Sequence, residues 1–305
     1  MYPTKAKLFY SFLILIVSLH ISCIAQQTNS LDSVIKEKKD KKKKKKKFKV
    51  SDIDLSHWSV TTPETDPKTG KVTNVEPPEI LNYATNEKLI PYMYNDSISG
   101  ALVFYAFPSD ATTANTKYSR SELREQMIPG DNNTNWTFKQ GGTMKGELSM
   151  GEVSKDANGK YHKVIIMQIH GRLTNEQRDL IGQKDNNAPP ILKIYWQDGK
   201  IRVKTKVLKN LAATDEELLH EDMWDDDKGF NFNQEVGFGR FDLEVKVTEG
   251  KMVISLNNNE FQVYENIHMQ RWGIFENYFK AGNYFQSRDE GAFAKVNYYS
   301  LSVSH

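Results

Sequence analysis

From about residue 53 onward, apolar and polar residues alternate in short runs separated by turn residues. A period of two marks strands that bury one face and present the other to solvent. Such runs predict strands at 101–107, 143–150, 163–170, 191–196, 201–206, 241–248, 252–256, 261–264, 278–286 and 294–302. Asp198-Gly199 and Glu249-Gly250 supply tight turns between neighbours. Only 174–181 and 215–220 read as short helices. Many short strands with few helices predict an all-β chain, two antiparallel sheets stacked as a sandwich or jelly roll. No internal period marks a propeller or a solenoid.

Three of the strand-forming segments put chemically capable groups on alternate residues. They are Arg120-Ser-Glu-Leu-Arg124, Gln168-Ile-His170 and Tyr278-Phe-Lys-Ala-Gly-Asn-Tyr-Phe-Gln286. Alternation puts Arg120, Glu122 and Arg124 on one face, with Glu122 placed to hold both guanidiniums. It puts Gln168 and His170 together, on the face of Ile166. It does the same for Tyr278, Lys280, Tyr284 and Gln286, with Gly282 leaving a gap in which a ring could approach the backbone. Side by side, these strands would offer guanidinium, amide, imidazole, ammonium and phenol groups on one sheet face. That set suits an acidic sugar chain and the movement of a proton on it.

Charge is distributed unevenly. Residues 36–49 hold eleven lysines against Glu37 and Asp40, and residues 50–305 carry 28 basic and 36 acidic residues, a net of −8. An acidic folded portion argues against a nucleic-acid partner and requires any polyanion site to concentrate its cations. Residues 1–25 read as a secretory signal, with Lys5 and Lys7 before an apolar run from Leu8 to Leu19. Two processing outcomes are open. Cleavage could follow Ala25, or Cys23, the only cysteine, could carry a lipid that anchors the protein to the outer membrane. Residues 26–50, with seven consecutive lysines at 41–47, read as a disordered tether. The expected organisation is signal 1–25, tether 26–50 and one domain at 51–305, in a secreted or cell-surface bacterial protein.

Other signals point to ordinary roles. Asp225-Asp226-Asp227, with Glu221 and Asp222, lacks the spacing and glycine of a calcium loop and reads as a solvated acidic loop. Trp58 reads as core. Asp242 and Glu244 alternate, but no third acid completes the carboxylate arrangement of a glycoside hydrolase. A non-catalytic carbohydrate-binding module could use the same groove without needing His170 and Tyr284 together.

Taken in order, RSELR at 120–124, QIH at 168–170 and YFKAGNYFQ at 278–286 resemble the alginate lyases of polysaccharide lyase family 7. The opening DLSHWSVTTP at 54–63 resembles that family's first strand, so the likeness spans roughly 52–305. The resemblance implies a β-jelly roll of two antiparallel sheets with a concave substrate groove, acting without metal or cofactor, expected to be a monomer, on the anionic polysaccharide alginate by β-elimination. It implies that Arg120 and Gln168 neutralise the uronate carboxylate, that His170 accepts the proton and that Tyr284 donates one to the leaving oxygen. It implies that Glu122, Arg124, Tyr278, Lys280 and Gln286 line the groove. Ile169 is the variant associated in the family with guluronate-containing blocks. The segments 171–190 and 207–236 are candidates to close the groove's ends.

Overall fold

The computed structural model describes residues 51–113 and 116–305. The signal segment with Cys23 and the tether lie outside these residues. Two sheets, antiparallel throughout, make up the fold. The larger runs, in spatial order, β11 (Trp224–Asp226), β10 (Lys200–Leu208), β9 (Asn187–Gln197), β8 (Val164–Arg172), β16 (Glu276–Phe285), β5 (Arg120–Glu125), β1 (Trp58–Thr65) and β2 (Val72–Val75). β12 (Phe230–Glu235) joins it on β10 and β6 (Trp136–Thr137) on β16. The smaller sheet runs β15 (Glu260–Tyr264), β14 (Lys251–Leu256), β13 (Phe241–Thr248), β7 (Gly142–Val153), β17 (Ala294–Ser304), β4 (Leu102–Ala106) and β3 (Met93–Asn95).

The alternation in the sequence does what it should. Along β13, Phe241, Leu243, Val245 and Val247 are buried while Asp242, Glu244, Lys246 and Thr248 face away from the core. Residues from the inner faces of both sheets fill one core, and Trp58 is part of it. The β9–β10 hairpin turns on Asp198 and Gly199, at φ of 47° and 81°, the left-handed pair that matches strand twist. Short helices form at Asn175–Leu180 and Asp215–Leu218, each with a threonine capping box.

The segments expected to be end-closing loops are partly sheet. Within 207–236, β11 and β12 extend the larger sheet, and 171–190 holds the end of β8, a short helix and the start of β9. β11 is only three residues, Trp-Asp-Asp, too short to show a period, whereas β12 does alternate over Phe230-Asn-Phe-Asn233, a signal the sequence reading passed over.

Candidate active site

β5, β16 and β8 are consecutive neighbours, so all three chemically rich segments share the outward face of the larger sheet. Register pairs Lys280 with Arg124 on one side and with Gln168 on the other, Tyr278 with His170, and Tyr284 with Arg120. Cross-strand partners project to the same face. An outward sheet face is normally wet, yet Glu122, Gln168 and Lys280 are 1%, 2% and 8% exposed. The groups therefore occupy a recess.

Glu122 is the hub of this recess. Its carboxylate accepts from Gln168 Nε2 at 2.5 Å, is ion-paired with Lys280 Nζ, and lies 3.8 Å from Arg120 Nε. Arg124 is not among its partners, contrary to the expectation that Glu122 would hold both arginines. The Arg124 guanidinium donates instead to the carbonyls of Glu125 (2.6 Å) and Asn132 (3.0 Å) and to Asn135 Oδ1 (3.0 Å), and its centre lies 4.1 Å from the Tyr278 ring centroid. Arg124 thus fastens the 131–135 loop and braces Tyr278. Nothing in a strand pattern reveals where an arginine's donors will go. Arg172, which the sequence did not single out, fastens the same loop through Asn133 (3.0 Å) while paired to Glu276 at 2.8 Å.

His170 stacks on Tyr278 with ring planes 12° apart. Its Nδ1 lies 3.0 Å from the Gly171 carbonyl. A carbonyl only accepts, so Nδ1 carries the proton and Nε2 presents a lone pair that no donor among the described residues occupies. Burial, together with the Lys280 charge, holds the imidazole down at about 3, so it is neutral at any ordinary pH. Lys280 is held down to about 8, chiefly by burial, with Glu122 opposing. Tyr284 sits beneath the Arg120 guanidinium, 5.6 Å from ring centroid to Cζ. Burial raises the Tyr284 phenol, and Arg120 and the Lys117 and Tyr118 backbone N–H groups work the other way. Gln286 lies just beyond β16 and lines the adjoining trough with Tyr195 and Lys204.

One local irregularity sets the site's geometry. The β16–β8 register slips between Ala281 and Tyr284, and the β8–β9 register slips between Ile165 and Met167. As a result Tyr284 faces Ile165, not Val164, and it is Ile166 that joins the core. The expectation that Ile166 shares the face of Gln168 and His170 is corrected by this bulge. Four apolar residues in a row, Val164 to Met167, gave no alternation from which to see it. The Tyr298 hydroxyl, fully buried and arriving from β17 in the other sheet, bridges the break. It accepts from Gly282 N at 3.0 Å and donates to the Ile166 carbonyl. Gly282 adopts φ of 133°, and a Cβ there would lie 2.7 Å from the Ser121 carbonyl oxygen and 3.0 Å from Glu122 Cα. This glycine serves close approach of β5 and the left-handed backbone; it is not a gap for substrate.

Other sequence expectations also change. Ile169, between Gln168 and His170, points into the core and is fully buried, so any influence on the recess passes through packing. Asp226 is no solvated loop residue. It lies on β11 and meets Lys193, Lys204 and Lys206 at 2.9, 3.7 and 3.0 Å. Asp242 and Glu244 lie on the smaller sheet, remote in topology from the recess.

A family model described as alginate lyase matches residues 53–305. An alginate lyase of Klebsiella pneumoniae is 25% identical over 295 residues, covering 83% of this chain and 89% of that relative. Among solved structures, alginate lyase A1-II', a member of polysaccharide lyase family 7, superimposes with a TM-score of 0.64 at 30% identity, covering 83% of this chain and 96% of that one. A variant of the same enzyme in complex with product (GGG) gives a TM-score of 0.65 at 29% identity, covering 84% and 99%.

Proposed function

This chain belongs to the alginate lyases of polysaccharide lyase family 7, and from that premise we propose that the recess on β5, β16 and β8 cleaves alginate by β-elimination, with a preference for guluronate-containing blocks. The observation that carries the reading is His170 itself. It is a neutral imidazole whose Nε2 lone pair meets no donor among the described residues, set among Arg120, Lys280 and Arg124.

The chemistry follows from charge. Removing the C5 proton of a uronate places negative charge on the adjacent carboxylate. Arg120, whose Nε lies 3.8 Å from the Glu122 carboxylate and has no hydrogen-bond partner among the described residues, and Lys280 supply positive charge there, and the second Nε2 hydrogen of Gln168 supplies a donor. Glu122 holds Gln168 and Lys280 in place before substrate arrives. His170 Nε2 takes the C5 proton. Tyr284, protonated near neutral pH because burial raises its phenol, gives a proton to the departing glycosidic oxygen. The C4–O bond breaks, a C4=C5 double bond forms, and one product carries a 4,5-unsaturated uronate at its non-reducing end. Mannuronate presents its C5 proton from the other side, and there the phenolate form of Tyr284, which the Arg120 guanidinium favours, takes that proton and passes it to the departing oxygen, returning to phenolate.

Initial rates on polyguluronate, polymannuronate and pectate, followed by the ultraviolet absorbance of the unsaturated product, test the reading. Faster cleavage of polyguluronate, with His170→Ala harming that activity more than activity on polymannuronate, is expected. Equal loss on both blocks would rule out the division of roles. For the amino-terminal region the same proposal extends to export and lipid attachment at Cys23. Cys23→Ser should then release the protein from the membrane fraction, and an unchanged distribution would refute the anchor.

A further inference from the structure

The face that carries the recess does not end at β8. Register pairs Arg124, Lys280, Gln168, Lys193 and Lys204 directly across β5, β16, β8, β9 and β10 in an unbroken row. Four strand spacings make that row about 19 Å long. A second row, Arg120, Tyr284, Ile165, Tyr195 and Arg202, runs beside it across the same five strands. Lys193 and Lys204 stand directly opposite one another, an arrangement of like charges that weakens a sheet unless an anion lies between them. One carboxylate, Asp226, serves both of them and Lys206 as well. Three cations on one anion leave a surplus of two positive charges. Their side chains are only 17%, 30% and 12% exposed, so solvent shields this surplus poorly. Next to them lies a trough of about 170 Å³, lined by Tyr195, Arg202, Lys204, Lys163 and Gln286 among others. All of this sits on a domain whose net charge is −8.

The geometry points to a second anion-binding subsite on β9 and β10, built from Lys193, Lys204 and their shared Asp226, that grips the carboxylate of a uronate one or more residues away from the scissile bond. The substrate chain then lies across the strands, with its reacting sugar over β16 and β8 and its extension over β9 and β10. This subsite rests on the reading of the recess as a polyuronate lyase and adds to it a dependence on chain length. It takes no part in the bond-breaking step, so its contribution is to binding. A positive row set in an acidic domain also draws polyanion to the groove, an effect that salt weakens.

The test uses Lys193→Gln, Lys204→Gln and the double variant, which leave Lys206 paired with Asp226. Lys246→Gln, on the smaller sheet, controls for overall charge. For the double variant, KM on polymeric alginate should rise about tenfold, the loss of two partly shielded charge contacts. Its kcat should hold, its KM should depend less steeply on salt, and kcat/KM on a uronate trisaccharide should stay at the wild-type value. Lys246→Gln should match wild type throughout. Unchanged KM and salt dependence on the polymer would overturn the subsite, and so would equal losses on polymer and trisaccharide. Calorimetric titration of a hexasaccharide into Tyr284→Phe, with and without the two lysine substitutions, separates the two proposals. Tight binding that the lysine changes weaken supports the subsite even if the wild-type chain eliminates nothing. Binding insensitive to them overturns it even if lyase activity is high.

Discussion

Tyr298→Phe removes one oxygen atom from the interior and tests how the two sheets cooperate. The ring packs edge-on against Phe104 at 5.5 Å, and phenylalanine keeps that contact. What is lost is the partner of both the Gly282 N–H and the Ile166 carbonyl, at a fully buried point where the β16–β8 ladder is already broken. A buried backbone group without a partner costs about 1–3 kcal/mol, so two together cost about 3 kcal/mol once partial relaxation is allowed. For a domain of this size that corresponds to a fall in melting temperature of about 6–12 °C. Tyr264 provides the contrast. Its hydroxyl is buried with no hydrogen-bond partner among the described residues, so Tyr264→Phe removes an unpaired polar atom and should leave stability unchanged or slightly higher. The bulge that Tyr298 braces also sets Tyr284 across from Ile165, so Tyr298→Phe should lower kcat with little change in KM, while Tyr264→Phe leaves both alone. Thermal melts and steady-state rates on alginate decide it. A melting temperature within about 2 °C of wild type, with wild-type kcat, would show that the hydroxyl braces nothing.

Further expectations concern charge and backbone. Because His170 loses its proton near pH 3, kcat/KM should show no inflection between pH 5 and 7; a step near 6.5 in the pH–rate profile would contradict the tautomer and burial described here. Lys280, held to about 8 against an ordinary 10.5, should lose its charge above about pH 8, so KM should climb there. The same shift makes the unfolded chain bind more protons between those two values, so Lys280 adds to stability as pH rises from about 8 to 10.5; denaturant midpoints across that window, compared with Lys280→Gln, measure it. Gly282→Ala should abolish soluble folded protein or cost more than about 3 kcal/mol, since its Cβ would strike the backbone of β5; near-wild-type melting would refute that contact. Arg172→Ala should cost about 2 kcal/mol by stranding Glu276 and freeing the 131–135 loop, with KM rising more than kcat falls.

The sheets were legible in the sequence because most strands bury one face, and the 241–248 run matches β13 in full. The site was legible because three motifs alternate cleanly and adjacent strands bring them together. What escaped was set by partners distant in the chain. Arg124 and Glu122 sit two residues apart on one face, yet one bonds a loop and the other bonds Gln168 and Lys280. The acidic run at 225–227 resembled a loop because the lysines that neutralise Asp226 come from β9 and β10. The bulge at Ile165–Met167 was hidden in an all-apolar stretch, where period two has nothing to register.

The central claim is that bond cleavage on this sheet face is an elimination run by His170 and Tyr284. The most direct test is the mass and ultraviolet spectrum of the products that the purified protein releases from alginate. Elimination predicts oligouronates one water lighter than hydrolysis products, absorbing as conjugated uronates, and their formation lost in Tyr284→Phe while that variant still binds oligosaccharide. Products of full hydrolytic mass without that absorbance, or undiminished turnover by Tyr284→Phe, would contradict the account.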